Sequence, residues 1–253
     1  MLIVLPPSET KSVGGDYPPL DFDALRFPSL NPARRDIAED LVALPVEDAL
    51  DVLGISEKLR GEAEMNQALF SSPTDCAFRR YAGVLYDALD PSSLPKEALE
   101  KVAIGSALFG LVGALDAIPH YRLSGGSKLP RRGGGPVPTM KARWSSLIRD
   151  ELRAVAETEL LIDLRSGTYQ QLGKAKQALT VRVESQYPDG TRKVVSHFNK
   201  HYKGLLARTL LLAHSPARSI EDVAQAATEA GFKAELPTQA GSNELTVIVK
   251  TEG

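Results

Sequence analysis

Five consecutive residues without a charged or hydroxyl side chain, Met1 to Leu5, run directly into Pro6-Pro7, and this opening constrains the fold more than any other feature of the chain. So short an apolar run reads as a buried strand, and the prolines stop it because neither can donate to a sheet ladder. Ser8-Glu9-Thr10-Lys11 then form a turn, so the strand delivers polar residues at its end.

Beyond the Pro- and Asp-rich loop that follows, the pattern changes period. A helix is expected from Pro32 to Leu44, behind Asn31 as N-cap, with Ile37, Leu41 and Leu44 at helical spacing. Val46 to Leu53 and Ser56 to Leu69 read as two more helices, with Ser56 as an N-cap, and Phe78 to Leu89 as another. Val102 to Ala107 reads as a buried strand. Gly110 and Gly113 make a long helix there unfavourable, at about 1 kcal/mol each relative to Ala, so a tight turn is expected. Residues 124–138 are too rich in Gly and Pro for a regular element. A helix over 139–156, a strand over 160–164 and a hairpin pairing 178–185 with 192–197 across Tyr187-Pro188-Asp189-Gly190 follow. Helices over 199–213 and 220–230 and strands over 233–236 and 244–249 complete the chain. Helices and strands interleave while the hairpin is antiparallel. The expected class is therefore α+β, a mixed, partly antiparallel sheet flanked by helices, in one domain over 1–253 that can divide into two packed lobes. A helical hairpin occupies about 46–69.

With 253 residues, 43% of them apolar, and a single Cys, the chain excludes disordered, collagen-like and disulfide-framework classes. The lone Cys76 and the lack of a signal-peptide pattern point to a cytoplasmic protein. The longest apolar stretch, Leu205 to Ala213, is interrupted by Arg208 and Thr209 and falls far short of the ~20 residues of a membrane span. The net charge of −2 hides a partition. Residues 1–121 carry 10 basic and 19 acidic side chains, residues 122–208 carry 17 and 7, and residues 209–253 carry 3 and 6. The basic middle third, which includes Arg122, Lys128, Arg131 and Arg132, is either a set of solvated faces or an anion-binding surface.

Phosphate-loop, dinucleotide, zinc-protease and nucleophile-elbow motifs are all missing, so no cofactor or metal site is expected. His197 and His201 stand four apart, but without a third ligand nearby they read as exposed and non-ligating. Leu53-Gly54-Ile55-Ser56, followed by Lys58, is similar to a helix-hairpin-helix turn, in which backbone N–H groups approach a DNA phosphate; a plain helical hairpin would look the same. Lys200, Lys203 and Arg208 form a cationic stripe at the start of a helix, where they oppose the macrodipole and a bound anion would compensate. Glu9, Asp116 and Asp163 lie just past strand-like runs, where sites on sheets form, and Arg122 is a partner for one of them. Trp144 reads as core.

Several blocks, in order along nearly the whole chain, resemble the YaaA family, also known as DUF328 or UPF0246, the peroxide stress proteins. They are Met1-Leu-Ile-Val-Leu-Pro-Pro-Ser-Glu-Thr-Lys11, Ile55-Ser-Glu-Lys-Leu59, Gly110-Leu-Val-Gly-Ala-Leu-Asp116, Pro119-His-Tyr-Arg-Leu123, Ile162-Asp-Leu-Arg-Ser-Gly-Thr-Tyr169, and Ser196-His-Phe-Asn-Lys200 with Lys203-Gly204 and Arg208. The resemblance implies a cytoplasmic bacterial protein that limits unincorporated iron under peroxide stress. It also implies a family-specific fold with DNA binding through a positive cleft and a helix-hairpin-helix element. Carried over by block, the hairpin falls on Gly54, Ile55, Ser56 and Lys58, and the cleft on Tyr121, Arg122, Lys200, Lys203 and Arg208. The start departs from the Ser-Pro-Ala-Lys-Thr of other members by placing Glu9 where they have Lys. The Arg-Pro-Leu-Asp wording around Asp116 is also missing.

Two functions follow. The first is a monomeric DNA-binding protein of the peroxide stress response, contacting backbone and shape without reading sequence. The second is an enzyme on a nucleotide, nucleobase or other small anion, with Ser8, Glu9, Lys11, Asp116, Tyr121, Asp163 and Ser166 converging on one pocket and Arg or Lys holding the anion.

Overall fold

A computed structural model describes residues 1–194, 199–239 and 241–250. Its strands, numbered along the chain, are β1 (Leu2–Leu5), β2 (Thr74–Cys76), β3 (Val102–Ser106), β4 (Gly110–Gly113), β5 (Ala117–Pro119), β6 (Leu161–Asp163), β7 (Leu179–Gln186), β8 (Arg192–Val194), β9 (Lys233–Glu235) and β10 (Glu244–Lys250). The α-helices are α1 (Asn31–Ala43), α2 (Val46–Leu53), α3 (Arg60–Gln67), α4 (Ala77–Arg80), α5 (Val84–Leu89), α6 (Lys96–Leu99), α7 (Met140–Ala156), α8 (Gly167–Gln170), α9 (Asn199–Leu212) and α10 (Ile220–Glu229).

Every side chain of β1 is shielded from solvent, as an uninterrupted apolar run requires of a strand covered on both faces. β1 pairs in parallel with β3 on one side and with β6 on the other. Among the described residues the main sheet has eight strands in the order β4-β3-β1-β6-β7-β10-β9, with β8 paired to β7. β4, β8 and β9 are antiparallel to their neighbours, which makes the sheet mixed and the class α+β. From β1 the chain crosses to β3, builds the β3–β4 hairpin, and returns through α7 to β6 on the opposite flank of β1. The order thus reverses around β1, and in sheets of this kind the carboxyl end of the strand at the reversal opens onto a crevice. β2 and β5 form a separate antiparallel pair.

The helices pack where the apolar spacing directs them. α7 buries Met140, Trp144, Ile148 and Leu152, one residue per turn, and its Thr139 N-cap accepts from Ala142 N at 3.1 Å. Trp144 is core, donating from Nε1 to Ala107 O at 2.7 Å. α9 lies against α5 at a glycine contact: a Cβ on Gly204 would sit 2.4 Å from Leu85 O.

Two expected helices are shorter than their patterns. The 78–89 segment divides into α4 and α5, because Gly83 adopts φ +108 and Tyr81 leaves the helix to bridge Lys11. The 56–69 segment begins with a 3-10 turn, Glu57–Leu59, before α3. Residues 195–197 of the expected hairpin, His197 among them, lie outside the described residues.

Gly110 supplies a stability test. It holds φ +72, and an added Cβ would lie 2.8 Å from the Trp144 ring. Gly110→Ala should lower unfolding free energy by about 2–4 kcal/mol in urea titration. Gly126→Ala, with nothing within 4 Å, should cost under about 0.5 kcal/mol.

Candidate functional site

The turn after β1 folds back over the end of the sheet, because Pro6-Pro7 end the ladder and the next polar residues find partners on other elements. Lys11 bridges Tyr81, Ala82 N donates to Thr10 O at 3.2 Å, and Tyr86 Oη donates to Pro6 O at 2.9 Å. The buried Arg80 guanidinium clamps the next stretch by donating to Ser12 O at 2.6 Å and Gly14 O at 2.8 Å. This pulls Lys11 inward. Its Nζ donates to Ser8 O at 3.0 Å and sits 4.5 Å from the Tyr121 ring centroid and 5.5 Å from that of Tyr81. Only 8% of Lys11 is exposed, and no carboxylate pairs with it among the described residues. Burial lowers its ammonium from 10.5 to about 8, against the opposing pull of Glu9.

Beneath the amine lies a chain of hydroxyls. Tyr121 Oη is 2.7 Å from Tyr81 Oη and 2.8 Å from Ser106 Oγ, and Ser106 Oγ accepts from Phe109 N at 3.0 Å. Ser106 ends β3, so it reaches this point by the same geometry that brings Ser8 and Lys11 from β1. Burial raises the Tyr81 phenol to about 12 and that of Tyr121 well above 10, so both stay protonated. At the solvent side, Arg122 donates to Glu9 O at 3.2 Å and pairs with the Glu9 carboxylate at 3.5 Å. Its backbone is gripped by Asn66 of α3, which accepts from Arg122 N at 2.8 Å and donates to Arg122 O at 2.9 Å. The neighbouring His120 meets Ser12 O and the Glu62 carboxylate, each at 2.9 Å. α3 therefore acts as a buttress for the segment after β5 that carries Tyr121 and Arg122.

Of the residues singled out from sequence, Ser8, Glu9, Lys11, Tyr121 and Arg122 come together. Asp163 and Lys203 reach the same carboxyl edge of the sheet at β6, but Asp163 is held bidentately by buried Arg165 at 2.9 and 2.8 Å, and Lys203 donates to Leu164 O at 3.4 Å. Ser166 is exposed just before α8. Asp116 lies at the opposite end of the sheet, accepting from Gly113 N at 2.8 Å and Arg26 N at 3.0 Å to fix the turn after β4.

The cationic stripe does not share one face. Lys200 is exposed, Lys203 is buried, and Arg208 docks α9 by donating to Leu89 O at 2.9 Å and Ser93 Oγ at 2.9 Å. Arg131 and Arg132 pair with Asp36, Glu39 and Asp40 of α1. Gly54 caps α2 at φ +63, while Ser56 and Lys58 are exposed on the turn. Gly54 shares an open depression of about 430 Å³ with Ser124, Gly126, Ser127, Lys128 and Asp51. Among the described residues no group of three His, Cys, Asp or Glu side chains is placed to hold a metal, and His201 stacks edge-on against Tyr202.

Sequence reasoning missed Tyr81, Ser106 and Asn66. Ser106 was within reach, because it is a polar residue ending an apolar strand, the criterion that selected Glu9 and Asp163. Tyr81 was hidden inside an apparently continuous helix.

Comparison with known proteins matches nearly the whole chain. The model of the family described as peroxide stress protein YaaA matches residues 1–236. The chain belongs to that family. A UPF0246 protein of Corynebacterium glutamicum is 63% identical over 235 residues, covering 93% of this chain and 95% of its own. A UPF0246 protein of Corynebacterium efficiens is 58% identical over 249 residues, 98% and 100% of the two chains. A more distant one, from Streptomyces coelicolor, is 38% identical over 255 aligned positions, 95% of each. A role in the peroxide stress response accords with this membership. No helix of the described residues is long and apolar enough to cross a membrane.

The Lys11 environment makes a pH prediction. The unfolded chain binds more protons at this group between about pH 8 and 10.5, so its contribution to stability should rise with pH, by about 1 kcal/mol from pH 8 to 9. Lys203, whose burial also lowers it, adds in the same direction, whereas the buried phenols of Tyr81, Tyr86, Tyr121 and Tyr169, all raised, act oppositely once the unfolded phenols begin to ionise from about pH 9. The charged groups that act on Lys11 are Glu9, Arg122, Glu62 and Arg80. Urea midpoints at pH 8 and 9 should show the gain, and Lys11→Met should remove most of it.

Proposed function

We propose that this peroxide stress protein works through a site for a small anionic ligand at the carboxyl end of β1. The observation that carries the reading is the convergence of Ser8, Lys11, Ser106, Tyr121 and Arg122 where the strand order reverses. Arg122 is the cation on the solvent side, exchanging its Glu9 partner for the ligand anion. The inner hydroxyls and the Lys11 amine supply hydrogen bonds and proton transfer in a water-poor environment, and the Glu9 carboxylate freed by the exchange is a base at the mouth. Cytoplasmic work in a reducing compartment fits the single buried Cys76.

The test is thermal unfolding in the presence of inorganic phosphate and of nucleoside mono-, di- and triphosphates. A ligand at a hundredfold excess over Kd stabilises by about 2.7 kcal/mol, a shift of roughly 5–10 °C for a chain of this size. Arg122→Ala should remove most of that shift and the distant Lys141→Ala none of it. A flat response to the whole panel would remove the support for an anion site.

DNA binding at the helical hairpin is a second reading, favoured by the depression that Gly54 shares with Ser124, Ser127 and the exposed Lys128, whose ammonium can meet a phosphate. Other features weigh against a polyanion. The 46–67 segment carries six acids and two bases. Arg131, Arg132 and Arg208 are held by acids or carbonyls and Lys203 is buried, which leaves Lys58, Lys128 and Lys200 as the exposed candidate cations without an ion pair among the described residues. Neutralising three phosphates gives a slope of log K against log salt of about −3, shallow for a dedicated DNA binder. A titration on duplex DNA should return that slope or less, and Lys128→Ala should flatten it by about 1. A slope near −6 would instead favour the DNA reading and with it a route from DNA protection to the limiting of iron-driven damage.

A further inference from the structure

Among the buried polar groups, Lys11 is the one whose surroundings match a task other than electrostatics. An ammonium that served only to attract an anion would stand in the mouth, as Arg122 does. Lys11 instead lies under the turn, with one hydrogen bond to Ser8 O, two tyrosine rings beside it and no carboxylate partner among the described residues. Lys203, the other buried lysine among the described residues, has no ion pair either and meets Leu164 O, whereas Lys11 lies against the Tyr81 and Tyr121 rings whose hydroxyls join Ser106. The place is also one where a ligand arrives, since the half-exposed Ser8 and Arg122 adjoin it at the switch in strand order. Desolvation favours the neutral amine, which is the nucleophilic form.

We propose that Lys11 is an imine-forming nucleophile, and that the ligand of the site is a carbonyl compound bearing an anionic group, the carbonyl meeting Lys11 and the anion meeting Arg122. This rests on the anion-site reading above and specifies its substrate class. The lone pair of Nζ adds to the carbonyl carbon while the carbonyl π pair moves to oxygen. That oxygen takes a proton, and the nitrogen loses one, to give a carbinolamine. A second protonation of the hydroxyl lets it leave as water while the nitrogen lone pair forms the C=N bond, and the resulting iminium then gives up its remaining N–H proton to leave the imine. The balance is amine plus carbonyl giving imine plus water, without any change of oxidation state. The Tyr121 phenol, backed by Ser106 and Tyr81 at 2.8 and 2.7 Å, is the proton donor in place. The hydroxyl chain relays the proton that nitrogen releases.

The experiment uses the full chain with glyoxylate, which joins an aldehyde to a carboxylate, and cyanoborohydride to trap the imine. Peptide mass mapping then locates each added carboxymethyl group. At pH 8 Lys11 holds about a hundredfold larger share of neutral amine than an ordinary lysine. The expected result is labelling of Lys11 at least ~10-fold faster than of exposed Lys128 and Lys200. Inorganic phosphate should protect Lys11, and Arg122→Ala should slow its labelling by glyoxylate but not by uncharged propanal. Because the mapping is done on the unaltered chain, it stands even if Lys11→Arg, which should lose the adduct, fails to fold. Adducts spread evenly over exposed lysines, or absent from Lys11, would overturn the proposal. If the thermal shift with anions persisted in that case, the anion site would survive without a nucleophilic role for Lys11. If labelling and shift were both missing, both readings would fall.

Discussion

The arrangement depends on the burial of one short strand. β1 contributes four residues with no exposed surface, and it can be hidden so completely only with a parallel neighbour on each side and helices over both faces. A strand in that position sits where crossovers diverge, and the backbone leaving its carboxyl end must turn over the edge of the sheet. Pro6-Pro7 make that exit abrupt, and the bonds from Tyr86, Ala82 and Arg80 to the following residues hold the turn down. The site therefore follows from the position of β1: Lys11 is buried because the turn is pinned, and it is near Ser106 because β3 runs alongside in parallel.

Low dielectric gives the cluster its chemical character. Away from water, three hydroxyls in series polarise one another, and an amine beside them is driven toward its neutral form. Arg122, nearer solvent, keeps its charge and carries Glu9 as a removable partner. The same side-chain types placed on an exposed helix would be ordinary solvated residues. Their chemistry comes from the fold, and α3 secures it by clamping Arg122 through Asn66 and His120 through Glu62. That duty also explains why the helical hairpin turns a polar edge inward.

Much of the framework was legible in the sequence. The apolar run of β1, the helical spacing of Ile37, Leu41 and Leu44 for α1 and the Tyr187–Gly190 turn predicted their elements directly, because local pattern and tertiary burial agree at those places. The break between α4 and α5 was not legible: its apolar spacing is helical throughout, and what interrupts it is a bridge to Lys11, seventy residues away. The candidate site was half legible. Polar residues closing apolar strands led to Ser8, Glu9 and Lys11, yet the same criterion also chose Asp116, at the other end of a strand that runs antiparallel. Strand direction, which decides between the two ends of a sheet, is not written in any local pattern.

Charge composition overstates the number of free cations, and the reason is physical. The acidic residues 1–121 and the basic middle third are complementary parts of one molecule: Glu9 meets Arg122, Asp36 and Asp40 meet Arg131, Arg132 and Arg143, and Asp90 meets Arg208. A segment with 17 basic and 7 acidic residues therefore offers a partner far less charge than its composition suggests. Coulomb attraction weakens with separation and with water between the charges, so acids already in contact with a guanidinium outcompete a phosphate that must first be desolvated. What remains for a ligand is set by the cations whose partners are weak or replaceable. Arg122, on its 3.5 Å pair with Glu9, is such a group at a site that other polar residues complete.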